Sequence, residues 1–219
     1  MKNLIVTMTA GLILLTGCSK DESFETTEEQ TANSIYVLEQ NNGQAMFRTI
    51  AIEPFQSGEN FTTTTDNSEF GHTSGLFAPT NRDAVILSWS ANRDETGTYG
   101  NAELQMSGPN YSMHIVMETE CITVDGDTAM YGAIITEVVE LSGNTPPLTA
   151  SWRFYFQVKD NEEGIGLGFD QISGKWIFAS PRSQSLCAVY PPKHPIWSSN
   201  GYENVMNPGF VEVSNNPQY

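Results

Sequence analysis

Four glutamates, Glu118, Glu120, Glu137 and Glu140, lie inside the stretches of this 219-residue chain with the strongest β pattern. Two carboxylates about 5 to 10 Å apart across a cleft are what glycoside hydrolysis needs. Glu137 shares a face with Tyr131 and Ile135; a solvated sheet face is the plainer reading of the set. The other route to hydrolysis is a nucleophile with a histidine base that a third group orients. The histidines are His72, His114 and His194. His72 sits in Gly71-His72-Thr73-Ser74-Gly75, which reads as a turn, and His114 alternates opposite Met113 and Ile115. There is no Gly-x-Ser-x-Gly elbow, and no His-x-His or Cys-x-x-Cys spacing that would mark zinc.

Calcium takes oxygen ligands. Asp160, Asn161, Glu162 and Glu163 cluster in one stretch with Asp170 downstream, and Asp125 and Asp127 flank Gly126. Neither group has EF-hand spacing, so polar turns are the plainer reading and no other cofactor is indicated. Glycan binding would use exposed rings. Trp89 and Trp152 lie on apolar strand faces and read as core. Trp176, in Gly-Lys-Trp-Ile-Phe, and Trp197, in His-Pro-Ile-Trp-Ser-Ser, are the candidates for glycan contact.

The elements that must position these groups are strands. Between Thr149 and Lys159, Ala150, Trp152, Phe154, Phe156 and Val158 alternate with Ser151, Arg153, Tyr155, Gln157 and Lys159, the pattern of a half-buried antiparallel strand. Ala129, Tyr131, Ala133 and Ile135 share one face of the run 127–141. Tyr111, Met113, Ile115 and Met117 share one face of 110–124. There the apolar parity shifts to Ile122 and Val124, which predicts a bulge near Glu118–Glu120. Asp125-Gly126 predicts a hairpin between the two runs. Weaker strands are expected at 34–40, 44–53, 83–91, 98–106, 165–170, 175–179 and 184–190. With no convincing amphipathic helix, this is an all-β chain: a single antiparallel β-barrel or β-sandwich over 34–190. Residues 191–219, rich in Pro and Asn, read as an irregular extension that Trp197, Tyr202 and Phe210 staple onto the domain.

The N-terminus carries a different chemistry. Lys2 precedes twelve apolar-patterned residues, Leu4 to Leu15, too few to span a bilayer but suited to a signal peptide. Leu15-Thr16-Gly17-Cys18 then resembles the lipobox of bacterial lipoproteins. The resemblance implies removal of residues 1–17, a diacylglycerol thioether on Cys18 and acylation of its amine. Two or three acyl chains anchor a protein stably. Ser19-Lys20-Asp21-Glu22 resembles the surface-export signal of Bacteroidota lipoproteins, which implies an outer-membrane protein facing the medium; a periplasm-facing protein is the alternative. Residues 18–33, acidic and poor in apolar groups, read as a flexible tether.

With Cys18 lipidated, Cys121 and Cys187 remain as an even pair in an oxidising compartment, either bridged or buried as two thiols. Loss of Lys2 with the leader leaves nine Lys and Arg against 26 Asp and Glu, a net charge of −17. Such a surface repels phosphate backbones, which excludes nucleic acid as a partner.

Gly71-His72, then Cys121-Ile-Thr-Val124-Asp-Gly126-Asp-Thr-Ala129, then Phe156-Gln-Val158-Lys-Asp160-Asn161 with Gly164 and Asp170, is similar in order to a group of secreted bacterial β domains of unassigned function. The likeness covers residues 70–172 and departs where Glu162-Glu163 precede the glycine. It implies a compact barrel-like fold and no activity. The expected role is therefore binding or structural at the cell envelope, without catalysis, the partners being the bilayer and a glycan or surface protein. An extracellular hydrolase or glycan-binding module acting on polysaccharide is the alternative.

Overall fold

The computed structural model describes residues 34–41, 44–51, 70–78, 84–161, 170–188, 190, 192, 194–198, 202–204 and 210–215. The leader, Cys18 and the tether lie outside the described residues, as does most of the strand expected at 165–170.

Among the described residues twelve strands form in chain order: β1 (Ser34–Asn41), β2 (Gln44–Ala51), β3 (Gly71–Phe77), β4 (Ala84–Asp94), β5 (Gly97–Gly108), β6 (Tyr111–Asp125), β7 (Thr128–Gly143), β8 (Arg153–Lys159), β9 (Gln171–Ser173), β10 (Lys175–Ala179), β11 (Tyr202–Asn204) and β12 (Phe210–Ser214). Two short helical turns intervene, a 3-10 turn at Leu186–Ala188 and α1 at Pro195–Ser198. The strands make one antiparallel sheet in the order β12-β3-β4-β5-β6-β7-β8-β10-β1-β2, with β9 and β11 branching from β8. The all-β antiparallel class follows the sequence expectation. The sheet is neither a sandwich of two sheets nor a barrel closed by its ladders, because β12 and β2 are not paired with each other.

The middle is a meander whose turns the sequence encodes locally. Asp94 pairs with Gly97, Gly108 with Tyr111 and Asp125 with Thr128, so two-residue turns link β4 to β7 in succession. Gly126 has φ +65°, which L side chains rarely adopt, as the Asp-Gly signal requires. Asp94 Oδ1 accepts the Thr96 N–H at 2.7 Å in the first turn.

The sheet rolls onto its own inner face. Rings from strands that are not neighbours meet there: Phe77 of β3 with Trp176 of β10, Trp89 of β4 with Phe156 of β8, and Phe47 of β2 with Tyr111 of β6. Phe156 also contacts Tyr131 and Phe154. One continuous cluster results, running from Val85, Leu87 and Trp89 through Met113, Ile115 and Met117 to Phe154 and Phe178.

Three expectations are corrected. Gly71 to Phe77 is a strand, not a turn, and pairs with both β12 and β4. Residues 191–219 are not wholly irregular: β12 is a member of the main sheet. The stretch 184–190 contains a 3-10 turn instead of a strand.

Two devices manage the edges of the sheet. The N–H groups of Val213 and Val211 in β12 donate to Asp160 Oδ2 (3.1 Å) and Asp170 Oδ2 (2.9 Å). Asp170 Oδ1 also accepts the Asn161 N–H at 3.2 Å. Two carboxylates thus stand where a neighbouring strand's carbonyls would be. Far along the other flank, β7 pairs with β8 only from Thr128 to Ile134. Its distal half is exposed, and the register breaks at His114/Ile115 and Val116/Met117 leave bulges there. Bulges and the charges of Glu137 and Glu140 blunt such an edge against pairing with other chains.

Candidate functional site

The densest group of chemically capable side chains lies on the outer face, where a strap made of the described residues 180–188, 190, 192 and 194–198 lies on the sheet. Its origin is local. In β6 the pairing skips from Thr119 opposite Ala133 to Cys121 opposite Gly132, so Glu120 is the extra residue of a bulge. Successive side chains on a regular strand point to opposite faces; the bulge lets Glu120 and Cys121 both point outward. The parity shift in the sequence foretold it.

Cys121 is bonded to Cys187 across 66 residues, with their Cα atoms 6.3 Å apart, inside the usual range for a disulfide. Beside the bond, Glu120 accepts three hydrogen bonds: from Arg153 Nε at 2.8 Å, from the Tyr155 hydroxyl at 3.0 Å and from the Ser185 hydroxyl at 3.4 Å. Arg153 Nη1 reaches past the glutamate to the carbonyls of Pro181 (3.0 Å) and Ser183 (3.1 Å). Burial raises the Tyr155 pKa far above its ordinary value, and the Glu120 charge adds to that, so the phenol stays a donor. Gly132 lies directly beneath: a Cβ there would come within 2.8 Å of both sulfurs and 2.7 Å of the Tyr155 ring.

Around this polar group runs a second apolar cluster. Ile35 and Val37 of β1, Ile177 and Ala179 of β10, Tyr155 of β8 and Met130 of β7 are covered by Leu186 and Trp197, with Cys187, Tyr190 and Ile196 packed alongside. Tyr190 stacks near His194 at 4.6 Å, and His194 Nδ1 accepts the Ile196 N–H at 3.1 Å, which starts α1. Of the odd positions of β8, expected to face water, Tyr155 and Gln157 are instead fully buried, Tyr155 under Leu186 and Trp197, while Arg153 and Lys159 stay half-exposed.

The hydrolytic candidates do not converge. Glu118, Glu137 and Glu140 are exposed, and Glu120 is committed to Arg153. Among the described residues the buried polar side chains are His72, Thr73, Thr128, Gln157, Ser173 and Ser180, none of them a carboxylate. His114 bonds Glu103 at 2.8 Å on the outer face. Gln105 and then His114 hold the Glu103 pKa below the carboxylate norm.

His72 is the exception in geometry. Its Nδ1 lies 3.0 Å from Asn92 Oδ1 and its Nε2 lies 3.2 Å from Ser74 Oγ. That order matches a nucleophile, a base and an orienting group. Its setting does not suit catalysis: the imidazole is only 5% exposed, and β3 is paired on both sides, so its ladders compete for the backbone N–H groups that an oxyanion would need. Asn92 is simply the cross-strand partner of His72.

Both glycan-contact candidates are corrected. Trp176 (3% exposed) packs in the inner core, with Nε1 donating to the Ser173 carbonyl at 3.0 Å, and Trp197 (0%) is sealed in the outer cluster. Trp89 and Trp152 are buried as expected, so all four tryptophans are inside. Of the calcium candidates, Asp160 and Asp170 are brought together, but their carboxylates serve β12; Glu162 and Glu163 lie outside the described residues. Among the described residues no three His, Cys, Asp or Glu are grouped to hold a metal ion.

No family model matches this chain, and neither a curated protein nor a solved structure matches it. What the arrangement can do chemically is hold: a disulfide, an ion pair and a buried tryptophan fasten one segment to one sheet face.

Proposed function

We propose that the protein is a lipoprotein of the bacterial outer membrane, anchored through acylated Cys18, presenting its β domain to the medium for a binding or structural role. The leader ending in Leu15-Thr16-Gly17-Cys18 and the following Lys20-Asp21-Glu22 support the anchor and the address. The observation that carries the reading is the Cys121–Cys187 bond, because disulfides persist in extracytoplasmic compartments and are rare in reducing ones. A binding or structural role fits an interior filled by Phe154, Phe156, Tyr131 and Phe178, with the acids left outside it. Action on polysaccharide draws no support from the acids or the tryptophans.

Fractionation of cells expressing Cys18→Ala tests the anchor. The variant is expected in the soluble fraction while the parent stays with membranes; a variant that remains in the membrane fraction contradicts the proposal. Protease treatment of intact cells then separates a surface-facing domain, which is cut, from a periplasm-facing one, which is spared.

A further inference from the structure

We propose that β2 is a strand-addition edge whose occupant is β2 of a second copy of this chain, so that two sheets join edge to edge about a two-fold axis. β2 ends its sheet: all of Gln44–Ala51 pairs with β1, and among the described residues no strand lies on its other side. An unpaired edge presents a row of backbone N–H and C=O groups, and the ligand with the matching spacing is an extended strand.

The other edges decide which strand. β12 has the N–H groups of Val211 and Val213 taken by Asp170 and Asp160, and the distal half of β7 is broken by bulges and carries Glu137 and Glu140. β2 has neither device. Its sequence, Gln-Ala-Met-Phe-Arg-Thr-Ile-Ala, holds no acid and no proline in a chain with 26 Asp and Glu, and its one charge is Arg48. Two copies can therefore meet there without setting acid against acid. With β12 and β7 blunted, β2 of the second copy is the long edge that remains, and an antiparallel strand is complementary to itself. Such a pairing closes as a dimer and does not grow into a fibre.

The register follows from the backbone. Only two residues separate Asn41 from Gln44, so their pairing is the hydrogen-bonded kind that closes a two-residue hairpin. Alternation then turns the backbone groups of Met46, Arg48 and Ile50 toward β1, and those of Ala45, Phe47, Thr49 and Ala51 toward the open edge. The outward residues of the two copies must pair with one another, so the axis passes through a residue position. Axes at Phe47 and at Arg48 give the longest overlaps. At Arg48 two guanidinium groups would stand opposite each other, which destabilises. At Phe47 the ring meets its copy, Met46 faces the partner's Arg48 and Ala45 faces the partner's Thr49. Met46, Arg48 and Thr49 are exposed in the single copy.

The test is the mass of the full chain in detergent solution as a function of concentration, with amide exchange read in β2. A concentration-dependent dimer is expected. Salt should tighten it, because screening relieves the repulsion between two chains of net charge −16. Thr49→Pro removes an N–H that faces the open edge and leaves the β1 ladder whole. It should weaken the dimer at least about tenfold, since one hydrogen bond is lost on each side of the axis, whereas Thr49→Ala should keep it. A chain that stays monomeric at every concentration overturns the proposal. So does a dimer that Thr49→Pro leaves unchanged, which would place the contact elsewhere. If Thr49→Pro does not fold, the parent decides: the amides of Phe47 and Thr49 should gain protection as concentration rises. Protection already complete in the monomer would assign the edge to another segment of this chain and overturn the proposal as well.

Discussion

On the inner face, packing comes from side chains that alternate along strands; on the outer face, it comes from a segment that belongs to no strand. The inner cluster needs only the roll of the sheet to bring Phe77 to Trp176 and Trp89 to Phe156. The outer cluster needs a covalent bond, an ion pair with 20% and 18% exposed side chains, and Trp197. The difference teaches that one sheet can carry a face packed by its own period and a face whose cover has to be fastened by a distant segment.

The largest expected effect breaks the first half of the comparison. Phe156→Ala removes a ring that meets Trp89, Tyr131 and Phe154 and should cost about 3 to 5 kcal/mol in denaturant unfolding, with all probes changing together. Replacing both Cys121 and Cys187 by Ser should cost at most about 4 kcal/mol, the chain-entropy figure for a 66-residue loop. If the strap opens by itself, much of that cost falls on the strap and the global midpoint moves less.

Gly132→Ala sharpens the coupling between the faces. The new methyl meets both sulfurs and Tyr155, at a cost of about 1 to 3 kcal/mol. That cost should shrink in the Cys121→Ser, Cys187→Ser background, and an additive result would detach the glycine from the bond. Asp170→Asn tests the seam at β12 and should cost about 1 to 2 kcal/mol by weakening a charge-assisted bond to the Val211 N–H.

The smallest effect is a pH dependence of the strap. Burial lowers the His194 pKa, so the folded state binds fewer protons than the unfolded state near that value. The contribution is present above the ordinary value of 6.5 and is lost as pH falls from there through the lowered one. Protonation also removes the Nδ1 lone pair that accepts the Ile196 N–H. Exchange in 194–198 should therefore quicken on mild acidification before the β4–β6 meander responds; equal responses would argue against it.

Legibility in the sequence divides along the same line. The meander from β4 to β8 was readable because alternation and Asp125-Gly126 are local signals, and the parity break at Glu118–Glu120 marked the bulge. The outer cover was not readable, because Tyr155 looks solvent-facing until Ser185, 30 residues away, bonds it and Leu186 and Trp197 pack with it. Trp176 and Trp197 looked exposed for the same reason: their flanks are turn-like, and their burial comes from non-local packing. β3 was missed because Gly71 and Gly75 mimic a turn, and β12 because its five residues sit among Pro and Asn. Asp160 and Asp170 look like cation ligands in sequence; only the fold brings the β12 amides to them.

The most direct test of the account is the intact mass of the protein extracted from cells that make it, under non-reducing conditions. The account predicts a chain that begins at Cys18, carries the mass of a diacylglycerol and an N-linked acyl group, and lacks two hydrogens for the Cys121–Cys187 bond. A chain with an unmodified Cys18, or one with both other cysteines as free thiols, would contradict it.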